Sequence, residues 1–467
     1  MQQKVLPLTL PEVEFLGGGG DSNRWTRRLL TWGVESRGIQ PVPPEERTDT
    51  QYNKIFFIWL SANTNILSFS AGTLGPVVFG LGLRDTCLVI LFFNLLCCIL
   101  PAYFTTWGPK LGMRQMIISR YSFGYFGVII PCIVNLVVMI GFSVLNSILG
   151  GQALASVSFC GYTVLNWYER LAWIPVVISF VVALGVGGKH LANPPPAEPA
   201  TASAVLSFAA VLAGFVITWS SLSSDFTTYF RPDVSSWKIF LYSYFGFLLP
   251  LVTLQCLGAA VAVVASSVPA WDAGYAGGNV GGLLEAMLHP VKGFGKFLTV
   301  LLSLSVAGNI AATFYSITLN IQVFIPPLVV VPRYVFSLVA TAIVIPVAIV
   351  GSTRFYDTLT NFLGLIGYWA SSFAAIILAE HLLFRKNDPA AYDVASWDVP
   401  RRLPSGIAAV AAGLLSFGLI IPGMSQVWFV GPIAKTTGDI GFEVAFGLSA
   451  VLYIPFRALE VRLRKGL

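Results

Sequence analysis

In the run "GFVITWSSLSSDFTTYF", Trp219, Ser220, Ser221, Ser223, Ser224 and Asp225 end an otherwise apolar stretch, and Asp225 is the acid among them. An acid inside a membrane segment costs about 2.5–3.5 kcal/mol on insertion scales, so a central one marks a pathway or a proton relay. The alternative is an interfacial carboxylate paired with Arg231 in the adjoining "YFRPD". Glu169, in "WYERLAWIP", is the second candidate for a proton-sensitive step. In "MIGFSVLNSILGGQ", Phe142 and Asn146 stand four apart and share one helix face. That sets an aromatic plane beside an amide able to read the edge of a flat ring. Trp219 would complete an aromatic sandwich, and Asn309 in "SLSVAGNIAATFYS" offers a second amide for the opposite wall. Any one of these aromatics alone would be ordinary core packing or an interfacial belt. Their combination is what suggests a ring-binding cavity.

These residues sit in a chain of 467 residues that is 55% hydrophobic and only 11% charged, with mean hydropathy +0.76. Soluble domains carry roughly 25% charge, so the composition is that of an integral membrane protein. Apolar runs of about 20 residues, the length that spans about 30 Å of hydrocarbon as helix, recur along it; barrel strands would alternate over about ten. The net charge of +6 comes from Lys and Arg placed between apolar runs, a topology signal and not nucleic-acid binding. The cysteines fall mostly inside those runs and suggest buried thiols, not a disulfide framework. With only His190, His289 and His381, no metal cluster or nucleophile elbow supports a metal cofactor or an enzyme.

Eleven apolar spans are expected, near 55–82, 85–107, 124–157, 172–187, 203–224, 239–266, 294–325, 328–350, 361–383, 405–423 and 439–457. Residues 1–54 read as an unpacked tail, 55–457 as the membrane domain and 458–467 as a second tail. Basic loops lie on the cytoplasmic side, which places the tail with Arg24, Arg27, Arg28, Arg37, Arg47 and Lys54 inside, and likewise Lys110, Arg114 and Arg120. Counting back from "FRALEVRLRKGL" puts Arg385, Arg333, Arg231 and the segment of Glu169 and Arg170 inside as well. Counting forward puts that last segment outside. One missing crossing between about Ser156 and Asn166 reconciles every loop; folding 124–157 as two crossings is the cramped alternative.

Two spans carry residues that a lipid-facing helix avoids. In "FFIWLSANTNILSFSAGTLGPVVFGLGL", Ser61, Asn63, Thr64, Asn65, Ser68 and Ser70 precede Gly72, Gly75 and Pro76. Freed backbone groups at membrane depth survive only where protein or a wet cavity satisfies them, which suggests a broken helix; small-residue packing accounts for some of the glycines. The serine-rich run ending at Asp225 is the second interruption, unwinding near Ser221. Two interrupted helices, one opening each half, point to an inverted-repeat transporter with its site where the breaks meet. The breaks occupy equivalent places only if the first repeat regains a fifth helix.

From "WGVESRGIQPVPPEERTDTQ", "WLSANTNILSFSAGTLGP" and "WYERLAWIP", the chain from about Leu30 onward resembles the purine and cytosine permease branch of the nucleobase:cation symporters, especially its fungal members. The resemblance implies an all-α integral membrane fold. It consists of a five-plus-five inverted-repeat (LeuT-type) bundle plus two further helices, with about 11 spans here where the family has 12. It also implies import of nucleobases with protons, the proton being the coupling ion and no cofactor being needed; relatives carry pyridoxine-type vitamins. By position, Ser68 matches a substrate-proximal serine, Asn146 the amide of the third span, Trp219 the stacking tryptophan and Asn309 one asparagine of the eighth-span motif. The family has Trp at Phe142, and its Asn-Asn-Ile-Pro-Asn pattern is "GNIAA" here. The fourth span is absent between "GGQALASVS" and "GYTVLNWYER".

The expected activity is therefore proton-coupled import of a planar heterocycle by alternating access in a multi-pass plasma membrane protein with its N-terminus in the cytoplasm. Its partners are the small substrate and membrane lipids; the sequence leaves the oligomeric state open. The alternatives are a truncated or splice-variant permease that inserts without transporting, or a pyridoxine-type vitamin transporter.

Overall fold

A computed structural model describes residues 38–151, 162–192, 194–276, 279–331, 333–351 and 355–464. Among them, nine helices are long and apolar enough to cross a bilayer, ten if one bent pair counts as a single span. Helix α1 (Lys54–Asn63) and α2 (Ile66–Phe79) form the bent pair, at 53°. There follow α3 (Leu83–Cys97), α4 (Ile99–Thr105), α5 (Gln115–Gly127), α6 (Ile129–Gly151), α7 (Tyr162–Leu191) and α8 (Ala202–Ile217). The second half continues with α9 (Ser236–Ala265), α10 (Val280–Leu288), α11 (Lys292–Leu304), α12 (Val306–Phe324), α13 (Arg333–Gly351) and α14 (Phe355–Ala379). Last come α15 (Ile407–Gly423), a shorter apolar helix, and α16 (Gly441–Leu463). A small antiparallel hairpin, Ser425–Gln426 with Phe429–Val430, joins those two.

One core of apolar side chains runs through the bundle. Helix α2 lies against α9 with almost no side chain between them: a Cβ on Gly72 would come within 1.9 Å of the Gln255 carbonyl, and one on Gly258 within 2.0 Å of that of Phe69. The small-residue packing weighed for these glycines is thus what Gly72 does. The expected break does not reach Gly72, Gly75 or Pro76, which all remain inside α2.

Three boundaries differ from expectation. The tail expected to be unpacked to residue 54 is seated from residue 38 onward. Ile39 and Val42 are buried, Val42 N–H donates to the Gly112 carbonyl at 2.8 Å, and Asp49 exchanges backbone bonds with Tyr229 and Arg231. Gly112 adopts φ +67°, and a side chain there would strike the Val42 carbonyl at 2.4 Å. Arg47 is buried too and donates to the Pro109 carbonyl at 2.9 Å. Two apolar anchors and a satisfied backbone outweigh the Pro and charge that suggested disorder. At the other end α16 continues to Leu463, past the expected tail boundary at 458, because Arg457 bonds both Glu380 (3.0 Å) and Glu460 (2.9 Å) on its buried face. Finally, the connector expected at 155–175 is helical from Tyr162, where α7 begins; residues 152–161 lie outside the described residues.

Candidate functional site

The first break is a joint whose loose ends are closed by the residues that looked out of place in a span. A helix end leaves four carbonyls without intrahelical donors. At the end of α1, Asn63 Nδ2 donates to the Trp59 carbonyl (2.9 Å) and Thr64 Oγ1 to that of Leu60 (2.6 Å). Asn65 Nδ2 donates to Ala62 (2.7 Å) and Ser68 Oγ to Asn63 (2.6 Å). Asn65 is extended, with φ −152° and ψ 171°, and its Oδ1 caps α2 by accepting from Ser68 N–H at 2.9 Å. The Ile66 N–H goes to Ser305 Oγ at 3.1 Å. Ser68 therefore clamps the joint with its hydroxyl.

Asn309, in the first turn of α12, docks on this joint: its Nδ2 donates to the Ala62 carbonyl at 3.0 Å, while its Oδ1 accepts from Asn146 Nδ2 at 2.9 Å. Asn146 Nδ2 also reaches the Phe142 carbonyl at 2.8 Å. Its Oδ1 is buried with no protein partner, leaving an acceptor for a ring edge. Gly308 lets the helices approach, since a Cβ there would meet Ser61 Oγ at 3.2 Å.

The second break follows α8. Two 3-10 turns, Thr218–Ser221 and Ser223–Phe226, replace the α-helix, and no α-helix resumes before Ser236. Unwinding thus starts three residues before Ser221. Hydroxyls satisfy the carbonyls here: Thr218 on Gly214 (2.9 Å), Ser221 on Thr218 (2.7 Å) and Ser223 on Trp219 (2.7 Å). Asn135 of α6 accepts from Ser221 Oγ at 2.6 Å.

Between the breaks, the Phe142 and Trp219 rings face each other with centroids 6.4 Å apart and planes inclined by 27°. A guest sandwiched between them needs two van der Waals layers, roughly 7–8 Å, so the pair stands about one ångström closer than a loaded sandwich. Trp219 also meets the edge of Trp59 at 5.5 Å, and Trp59 stacks on Phe247 at 4.3 Å. The Trp219 indole N–H is buried with no protein partner.

Of the proposed binding residues, Phe142, Asn146, Trp219 and Asn309 are linked by ring contact or hydrogen bond, and Ser68 joins them through the first break. Asp225 stands apart from that pocket. It is buried and its Oδ1 accepts from Gln115 N–H, at the start of α5, at 2.7 Å, while its carbonyl accepts from Arg114 at 2.5 Å. A carboxylate is favoured there by the helix dipole. The alternative reading, a pair with Arg231, is not formed: Arg231 turns to Asp233, 2.7 Å away on the surface, because Asp225 faces inward. Glu169 lies on the part of α7 whose side chains are outside the described residues.

Asn135, Trp59 and Arg114 were not singled out from the sequence. Asn135 carried a signal, since it precedes Phe142 by seven residues and Asn146 by eleven, on the same helix face. Arg114 read as a topology marker, yet it donates to Tyr315 OH at 2.7 Å below the second break. Trp59 had no signal beyond its hydrophobicity.

A family model described as "Permease for cytosine/purines, uracil, thiamine, allantoin" matches residues 41–158 and 157–444. The chain belongs to this family. Its relatives include the purine-cytosine permease fcyB of Emericella nidulans, 35% identical over 97% of this chain and 94% of that protein. Purine-cytosine permease FCY21 of Saccharomyces cerevisiae is 35% identical over 92% and 87%, and the vitamin B6 transporter TPN1 of the same organism 29% identical over 94% and 89%. Among solved structures, Mhp1, a nucleobase-cation-symport-1 family transporter in a closed conformation with bromovinylhydantoin bound, superimposes with a TM-score of 0.68 at 15% identity. The match covers 91% of this chain and 96% of Mhp1. The expected fold, an all-α inverted-repeat bundle of the LeuT type, is borne out, and the protein is a multi-pass membrane transporter, not an enzyme.

Proposed function

We propose that this permease imports a nucleobase, cytosine or a purine, or a similar planar heterocycle, together with protons and by alternating access. We further infer a plasma membrane location with the N-terminus in the cytoplasm, the side to which the basic loops assign it. The observation that carries the reading is the face-to-face pair Phe142 and Trp219 beside the Asn146–Asn309 amide pair, where two broken helices meet. The ring lies between the aromatic faces, the free Asn146 oxygen reads its edge, and Ser68 holds the first joint beneath. A slight separation of the two rings admits the guest. Asp225, tying the second break to α5, is the described candidate for the proton-sensitive step, and Glu169 the other.

The two stretches of the family match meet at residues 157 and 158, inside the interval where loop charges require another crossing. The alignment to fcyB runs over 480 positions although it covers only 97% of the 467 residues, which also leaves room for an absent helix. Both support the loss of the fourth span, and transport by the gapped chain is what distinguishes the proposed function from the second reading, a non-transporting variant. The likeness to TPN1 and the "GNIAA" departure make pyridoxine the substrate to set against the bases.

Uptake of labelled cytosine, adenine, hypoxanthine and pyridoxine should be measured for the chain as it stands and for a version with a fourth span restored. Saturable, uncoupler-sensitive base uptake by either form, lost in Asn146→Ala, is the expected result. Uptake of a base that Asn146→Ala leaves unaltered would overturn the pocket, and activity confined to the restored form would establish the second reading for the chain itself.

A further inference from the structure

Glu443 lies in the first turn of α16, outside the site described above. Together with Leu96, Cys97, Ile99, Leu100, Ile217, Phe442, Phe446 and Gly447 it lines a cavity of about 320 Å³ between α3, α4, α8 and α16. The walls are apolar except for this carboxyl group. Its Oε2 is buried and has no hydrogen-bond partner. Leu96 and Ile99 are exposed on the outer rim, as is Gly447, so the cavity opens sideways, toward where lipid surrounds the bundle.

A carboxyl group within a membrane segment is costly and marks a function by default, and an unpaired buried oxygen needs a donor. The cavity therefore calls for a molecule that is apolar throughout except for one hydrogen-bond-donating end, and that enters from the bilayer. A phospholipid head brings charge and several acceptors for which these walls have no partners. A flexible acyl chain loses rotamer freedom on entering, whereas a rigid ring system does not. We propose that this cavity is a sterol site in which the sterol hydroxyl donates to Glu443 Oε2 and the ring body packs between Leu96, Leu100, Phe442 and Phe446. Ile217 is the last residue of α8 before the second break, so the ring body would touch the helix just where it unwinds.

The test uses the full chain in phosphatidylcholine vesicles carrying a photoreactive, alkyne-tagged sterol, with the adducts mapped by mass spectrometry. Adducts are expected in 96–100 and 442–447, competed by unlabelled sterol. Glu443→Leu should cut them by about tenfold, the factor of a hydrogen bond to a charged or strongly polar group. Glu443→Gln, which keeps an acceptor, should retain them. Gly447→Leu should also abolish them; nothing lies within 4 Å of a Cβ built there, so the helix accepts the side chain while the cavity fills. A melting curve for each variant separates lost binding from lost folding. Adducts elsewhere, adducts undiminished in both Glu443→Leu and Gly447→Leu, equal labelling by a photoreactive phosphatidylcholine, or crosslinking of two chains through these peptides would each overturn the proposal.

Discussion

The two helix breaks, one between α1 and α2 and one after α8, are built from different chemistry. Each receives an asparagine from the opposite repeat: Asn309 on the first and Asn135 on the second. The first spans only two residues, Thr64 and Asn65, and adds the amides of Asn63, Asn65 and Asn309 to the Thr64 and Ser68 hydroxyls, after which α2 begins with Asn65 as its cap. The second is closed by hydroxyls that bond back three or four residues along their own chain, and it remains in 3-10 turns through Phe226. An amide can donate and accept at once, so it terminates one helix and starts the next. A serine hydroxyl bonded to the preceding turn satisfies a carbonyl but caps nothing ahead of it. Short 3-10 stretches inside a helix mark hinges. The first break is thus a fixed corner and the second the compliant section.

The sharpest way to break this contrast is Asn65→Ala, which removes the α2 cap and one donor to Ala62 together. We expect a loss of about 2–4 kcal/mol, read as a lower melting temperature of the purified protein and little protein at the cell surface. Asn309→Ala comes next: the Ala62 carbonyl keeps Asn65, but the bridge to Asn146 is gone. Base uptake should fall by about tenfold or more, with a stability cost of roughly 1–3 kcal/mol. At the second break, Ser221→Ala should cost about 1 kcal/mol, and a double-mutant cycle with Asn135→Ala should give a coupling of about 0.5–1.5 kcal/mol. A cost at Ser221 equal to that at Asn65 would erase the distinction between corner and hinge. The smallest effect belongs to Arg231→Ala, within about 0.5 kcal/mol, with transport unaltered; a larger one would restore the Asp225 pairing that the fold does not form.

Much of the architecture was legible in the residues. Hydrophobic runs of bilayer length and two polar interruptions point to an inverted-repeat helical membrane protein, because hydrocarbon admits few ways to bury a backbone. The four-residue spacing of Phe142 and Asn146 also placed those two side chains together on the face that meets Trp219 and Asn309. Tertiary structure decided what each polar group faces. It placed the first break at Thr64 and Asn65 and not at Pro76, because Asn309 of α12 donates to the Ala62 carbonyl there and Ser305 Oγ accepts from Ile66 N–H, and it turned Asp225 inward to Gln115 while Arg231 stayed outside. It also seated residues 38–53 on loops distant in sequence. Local pattern supplies most of the donors that close each break, but the partners that tie the breaks to the bundle arrive from other helices, and only the packed bundle says which ones.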